Sequence, residues 1–229
     1  MSKDNKKLIW YLGIIFIAIL LTYKLPHNSN SIIQYVIPPI RVGNNSVIYL
    51  SGIIPLVLLI IGISGLFKLE RFRSTSKLLI FITIILLVIP AMNWVLDFSR
   101  TNYHWIKDDG LMAVDIEKSN INLNSTDEEM IININLELRD YGRKQNNFKI
   151  RVYLPEGLSA YTNKEYYDLE ACYHTHGGRN VSNIKEEIII KLSNGHNEIQ
   201  PIESQWFWED TVYELYNSDE KIKITQHGL

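Results

Sequence analysis

The amino-acid sequence predicts a membrane protein with three transmembrane α-helices and a C-terminal mainly-β extracytoplasmic domain, built as a small antiparallel sandwich with short helical insertions. Long apolar runs fall only in the first hundred residues, and apolar–polar alternation dominates the rest. Charge divides the same way. Of 23 Lys and Arg and 25 Asp and Glu, residues 1–99 hold nine basic and three acidic side chains, so the net charge of −2 hides +6 followed by −8. Such a split marks two compartments better than one continuous globule. The expected division is a membrane domain, residues 1–99, and an extracytoplasmic domain, residues 100–229.

The apolar runs are Leu8–Tyr23, Val47–Phe67 and Leu78–Leu96, of 16, 21 and 19 residues, and none contains an ionisable Asp, Glu, Lys, Arg or His. About 20 residues cross a hydrocarbon core ~30 Å thick. The first run is short, but Lys7 and Lys24 can extend to the interfaces at its ends. The stretch after it, Lys24-Leu25-Pro26-His27-Asn28, lacks a small-x-small cleavage pattern, so the run reads as a retained anchor rather than a signal peptide. Basic residues set the orientation. Lys3, Lys6 and Lys7, and Lys68, Arg71, Arg73 and Lys77 in loop 68–77, form dense clusters that belong in the cytoplasm. Loop 24–46 spreads only Lys24 and Arg41 and belongs outside, with residues 100–229. Its apolar stretch Ser31–Ile40 is expected to lie along the outer membrane face or under the ectodomain.

The uncharged spans argue against transport or proton relay through these helices. Pro55 and Pro90 are expected to kink them. Gly13, Gly52, Gly62 and Gly65 offer close-approach surfaces for docking in a larger transport or signalling complex. The lone cysteine, Cys172, excludes an intramolecular disulfide, so the outer domain must rest on its core. Abundant Ile, Asn and Lys, with no disulfide, point to a bacterial and Gram-positive cell envelope.

In the second half, Ile132, Ile134, Leu136 and Leu138 alternate with polar residues, as do Phe148, Ile150, Val152 and Leu154 after a polar loop containing Gly142. Period-two alternation marks half-buried strands, and the pair reads as a hairpin. Further strands are expected at 111–117 (Met112, Val114 and Ile116 inward), 120–124, 169–176, 186–193 and 220–226. Thr162-x-x-Glu165 has the form of a capping box opening a helical turn through Asp168. Ser204 can open a helix in which Trp208, Val212 and Leu215 share a face, with Trp206-Phe207-Trp208 plugging the core. An immunoglobulin-like sandwich is one candidate for the whole.

Chemical leads are few. If 169–176 is a strand, Glu170, Cys172, His174 and His176 fall on one face. Cys172, His174 and His176 are then candidate metal ligands, a donor set suited to zinc or copper. Ser74-x-x-Lys77 resembles a penicillin-binding motif only by chance, lacking every companion element. Adjacent acidic pairs such as Asp108-Asp109 read as solvated surface. The acidic outer half excludes nucleic acid as a partner. The leading expectation is an envelope protein, anchored in the lipid bilayer, whose outer domain is a non-catalytic module binding a protein, peptide or cell-wall component. The alternatives are an extracytoplasmic metal-binding protein or metal-dependent enzyme using Cys172, His174 and His176, and an accessory subunit of a membrane complex.

Overall fold

The computed structural model describes residues 3–42, 47–125, 129–155, 158–159, 162, 164–191 and 210–226. It divides into two compact units, Met1–Leu25 with Asn30–Ser99, and Pro26–Ser29 with Arg100–Leu229.

The first unit is helical. Helix α1 (Lys3–Thr22) is followed by a short α2 (Ile32–Val36), α3 (Ile53–Leu66) and α4 (Lys77–Thr83), which passes through a π-helical turn (Ile84–Val88) into α5 (Ile89–Lys107). Two helical stretches are long and apolar enough to cross a membrane, the 20 residues Lys3–Thr22 and the 31 residues Lys77–Lys107. The middle run departs from the expected 47–67. Val47–Ile48 (β2) pairs instead with Ile40–Arg41 (β1), and the apolar helix covers only Leu50–Leu66. At ~1.5 Å per residue it reaches roughly 25 Å, short of a ~30 Å core. The third run extends beyond the expected Leu96, as far as Lys107.

Neither proline acts as a simple kink. Pro55 lies in the first turn of α3, where the N–H it lacks would have no helical partner, so it starts the helix. Pro90 would crowd the carbonyl of Leu86 four residues back, and the chain widens into the π-turn across that stretch. Ile15 and Ile19 of α1 pack with Ile63 and Leu66 of α3, Ile80 of α4 and Ile84. A methyl at Gly62 would overlap Ile15, and one at Gly65 the Tyr11 ring. Two of the four glycines expected to receive partner helices therefore seat α1 within the unit. Open space surrounds Gly13 and Gly52.

The second unit is mainly antiparallel β-structure. Its strands are β3 (Val114–Ser125), β4 (Glu129–Asp140), β5 (Asn146–Tyr153), β6 (Tyr166–Asp168), β7 (Tyr173–Thr175), β8 (Asn180–Lys191), β9 (Thr211–Tyr216) and β10 (Lys221–Gln226). One sheet runs β3-β4-β8. The other runs β10-β9-β5-β6, with β7 also on β5. Both sheets contribute to one core, including Met130, Ile132, Ile134, Leu136 and Leu138 of β4 and Phe148, Ile150 and Val152 of β5. Each such side chain contributes about 1.5–3 kcal/mol on burial.

Several expectations change here. Strands β4 and β5 form no hairpin: they lie in different sheets, because both apolar faces are satisfied by meeting across the core. The expected strands 111–117 and 120–124 are one strand, β3, with a bulge at Glu117 between Ile116 and Lys118. Met112 is not inward but 49% exposed, in a 3-10 turn (Gly110–Ala113) that buries Leu111 and Ala113 instead. Strand β8 begins at Asn180, well before the expected 186. Tyr166–Asp168 is strand β6, not a helical turn, and Val212 and Leu215 lie in strand β9, not on a helix. Residues 204–209, with Trp206, Phe207 and Trp208, lie outside the described residues.

Candidate interaction face

Period-two geometry decides what the β10-β9-β5-β6 sheet shows on its outer side. Ile150 and Val152 turn into the core, so Lys149, Arg151 and Tyr153 turn out. On β9, Tyr213 and Leu215 point in while Glu214 and Tyr216 point out. The pairings Lys223–Glu214, Glu214–Arg151 and Arg151–Asp168 then set four charges of alternating sign in one row across four strands. Directly opposed unlike charges stabilise such a row.

Arg151 is its centre. Its Nε and Nη2 donate to the two carboxylate oxygens of Asp168 at 2.8 and 3.2 Å, and its Nη1 donates to Glu214 Oε1 at 3.4 Å. The guanidinium lies 3.8 Å from the Tyr166 ring centroid and 5.1 Å from that of Tyr216. Tyr153 Oη donates to Glu214 Oε2 at 3.2 Å, and Lys223 Nζ lies 4.3 Å from the Tyr153 ring centroid. The bond from Arg151 holds the Asp168 carboxyl below its ordinary range and raises the guanidinium further, so both stay ionised. Burial raises the Tyr216 phenol. The face is thus pre-organised: three tyrosines and a stacked arginine fixed by charges that already have partners. Tyr and Arg are the side chains that most often dominate binding energy at interfaces.

Tyr216 and Lys149 also border an open groove of about 660 Å³, shared with Gln145, Asn147, Cys172 and Asn217. Cys172 is exposed and precedes β7. The expected strand 169–176 shrinks to Tyr173–Thr175, so strand geometry does not align Glu170 and Cys172 with the histidines. His174 and His176 are exposed and adjacent, with ring centroids 5.6 Å apart and an edge-on arrangement. Among the described residues no three His, Cys, Asp or Glu are grouped as a metal site requires.

A second polar cluster is built around Pro26–Ser29, which comes from the chain between α1 and α2. Thr225 N donates to His27 O and Ser29 N to Thr225 O, both at 3.0 Å, so this strap lies along the β10 edge. His27 N donates to Asp115 Oδ1 at 3.2 Å, and its ring Nε2 lies 3.1 Å from Val114 O. Asp115 is paired with Arg100 at 2.7 Å, whose guanidinium lies 4.0 Å from the Tyr141 ring centroid. Burial, the largest influence, lowers the His27 imidazole from its ordinary 6.5, and the nearby Arg100 adds to this while Asp115 opposes it.

Arg151, Asp168, Glu214 and the three tyrosines belong to none of the chemical motifs in the sequence. The outward parity of β5 would have pointed to Lys149, Arg151 and Tyr153. Their partners arrive from segments 17 to 63 residues away, beyond any local pattern.

Comparison with known families and with curated proteins returns no match for this chain. Among solved structures, a β-glucosidase 3B from Thermotoga neapolitana, in complex with α-D-glucose, aligns at 14% identity with a TM-score of 0.18. The alignment covers 50% of this chain and 16% of that one. A likeness of that size carries no argument about fold or activity.

Proposed function

We propose that this is a membrane-anchored envelope protein whose extracytoplasmic domain is a non-catalytic interaction module, binding a protein, peptide or wall component through the β10-β9-β5-β6 face. The observation that carries the reading is Arg151, stacked beside Tyr166 and Tyr216 and held by Asp168 and Glu214. Such a face keeps its aromatic anchors ordered before a partner arrives, so binding costs less side-chain entropy. The strand orders β3-β4-β8 and β10-β9-β5-β6 correspond to the A-B-E and G-F-C-C′ sheets of immunoglobulin-like domains, an architecture that hosts many binding functions. The basic clusters at Lys3, Lys6 and Lys7 and at Lys68–Lys77 support a cytoplasmic N-terminus and an outer β-domain, which requires the short apolar helix Leu50–Leu66 to cross as well, with the bilayer thinned around it.

The test is photo-crosslinking in intact cells, with a benzophenone side chain at Tyr153, Tyr166 or Tyr216 and, as a control, at Val181 on the other sheet. Discrete adducts from the tyrosine positions and none from Val181 are expected. Absence of adducts from all three tyrosine positions would sink the reading.

A second reading, an extracytoplasmic zinc or copper site, draws on the adjacency of His174 and His176. It requires Cys172 or another donor to complete the set. Stoichiometric zinc uptake by the purified protein, abolished by His174→Ala, would support it; a melting temperature indifferent to zinc and chelator would dismiss it.

A further inference from the structure

We propose that the helical unit holds one anionic phospholipid, its acyl chain in a groove beside α1 and α4 and its headgroup on the basic rim of residues 68–77. This rests on the membrane reading of α1 and α4–α5. The groove is about 340 Å³, and its lining includes Leu8 and Leu12 of α1, Leu66 of α3, Leu79 of α4 and Val88. Phe72 and Thr75, from the segment between α3 and α4, also line it. From Leu79 to Val88 the wall rises about 14 Å at ~1.5 Å per residue, close to half of a ~30 Å hydrocarbon core. The space therefore suits one acyl chain within one leaflet.

The rim chooses the headgroup. Arg71 lies with its guanidinium 6.0 Å from the ring centroid of Phe72, itself a groove residue. Arg73 follows Phe72, Lys77 opens α4 two residues before Leu79, and Lys7 adjoins Leu8; all four cations are exposed. Cationic side chains at the mouth of an apolar groove between membrane helices favour a phosphate-bearing anionic lipid over a zwitterionic one. The π-turn contributes Ile84 and Val88 to the lining, so the widening that accommodates Pro90 also shapes the groove.

The experiment uses the full chain, reconstituted in vesicles of phosphatidylcholine with one-fifth phosphatidylglycerol, floated on a density gradient, then extracted in mild detergent and weighed by native mass spectrometry. One phosphatidylglycerol retained per chain is expected, with phosphatidylcholine retained at least tenfold less. The triple variant Arg71→Gln, Arg73→Gln, Lys77→Gln should erase the preference. Leu79→Trp, which fills the groove from an exposed position, should lose the lipid altogether, and Thr83→Phe is the second filling variant should the first fail to fold. Equal retention of both lipids, lipid retention unchanged by the filling variants, or a lipid-free oligomer would overturn the proposal while leaving the membrane anchor standing. Failure of the chain to float would overturn the membrane reading itself, and this inference with it.

Discussion

Arg151 makes three hydrogen bonds to two carboxylates and stacks beside two rings, so its contribution depends on shape as much as charge. A lysine keeps the charge but loses the planar fork and the stacking. Arg151→Lys should therefore destabilise the β-unit by about 1–2 kcal/mol, the side chain being partly solvated and its ion pairs correspondingly discounted. Urea unfolding followed by circular dichroism would measure it; an unchanged midpoint would mean the row is ornamental. Asp140 poses a sharper case. Fully buried, it accepts from Gly142 N at 2.8 Å, Asn146 Nδ2 at 3.0 Å and Thr175 Oγ1 at 2.5 Å, tying the β4–β5 crossing to β7. Asp140→Ala strands three donors and should cost roughly 3 kcal/mol or more. A loss under about 1 kcal/mol in the same unfolding assay would show that water replaces the carboxylate.

At the scale of elements, the bulge in β3 decides which residues face inward. Before Glu117 the inward set is Val114 and Ile116; after it, Ser119 pairs with Leu136, Ile121 with Ile134 and Leu123 with Ile132, all opposite inward residues of β4. The inward residues change from even to odd numbers, and one extra residue absorbs the change. Deleting Glu117 leaves a regular ladder with the same inward set, losing mainly the Tyr141 Oη bond to Glu117, so a cost of about 1–2 kcal/mol is expected. Deleting Lys118 together with Glu117 instead turns Ile121 and Leu123 outward and should cost roughly 3 kcal/mol. Thermal melts of the two variants give the comparison, and a double deletion as mild as the single one would contradict the register. The change of parity was visible in the sequence, but it reads equally as a break between two strands, which is how one strand became two. Alternation likewise marked β4 and β5 and left their pairing open, since a strand's period fixes its faces and not its neighbours. Val212 and Leu215 had helical spacing relative to Trp208, while the six residues of β9 alternate only over a stretch too short to outvote it. On the face of Arg151 the outward parity of β5 was legible, but the partners that reach it from β6 and β9 left no local signature.

At the scale of the whole molecule, the strap Pro26–Ser29 makes the β-unit depend on residues far from it in sequence. Without the strap, Thr225 N loses its acceptor, His27 O, and Asp115 loses one donor. A fragment of residues 100–229 should accordingly melt below the same unit in the full chain, by about 2 kcal/mol, or roughly 5–10 °C for a domain of this size. Amide exchange at Thr225 should be fast in the fragment and slow in the full chain. The strap also adds a pH dependence. Burial lowers the His27 imidazole from 6.5, so below that pH the unfolded chain takes a proton that the folded unit refuses. The stability contributed by neutral His27 is complete above about pH 6.5 and is lost as the pH falls through the lowered folded value. Between pH 7.5 and 5.5 the full chain should lose more stability than the fragment, in which His104 titrates but His27 is missing. His27→Gln in the full chain keeps the backbone bonds to Thr225 and should remove that difference while leaving Thr225 protected. If the full chain and the fragment instead share one pH profile, His27 is solvated in the folded protein and the strap holds by its backbone alone.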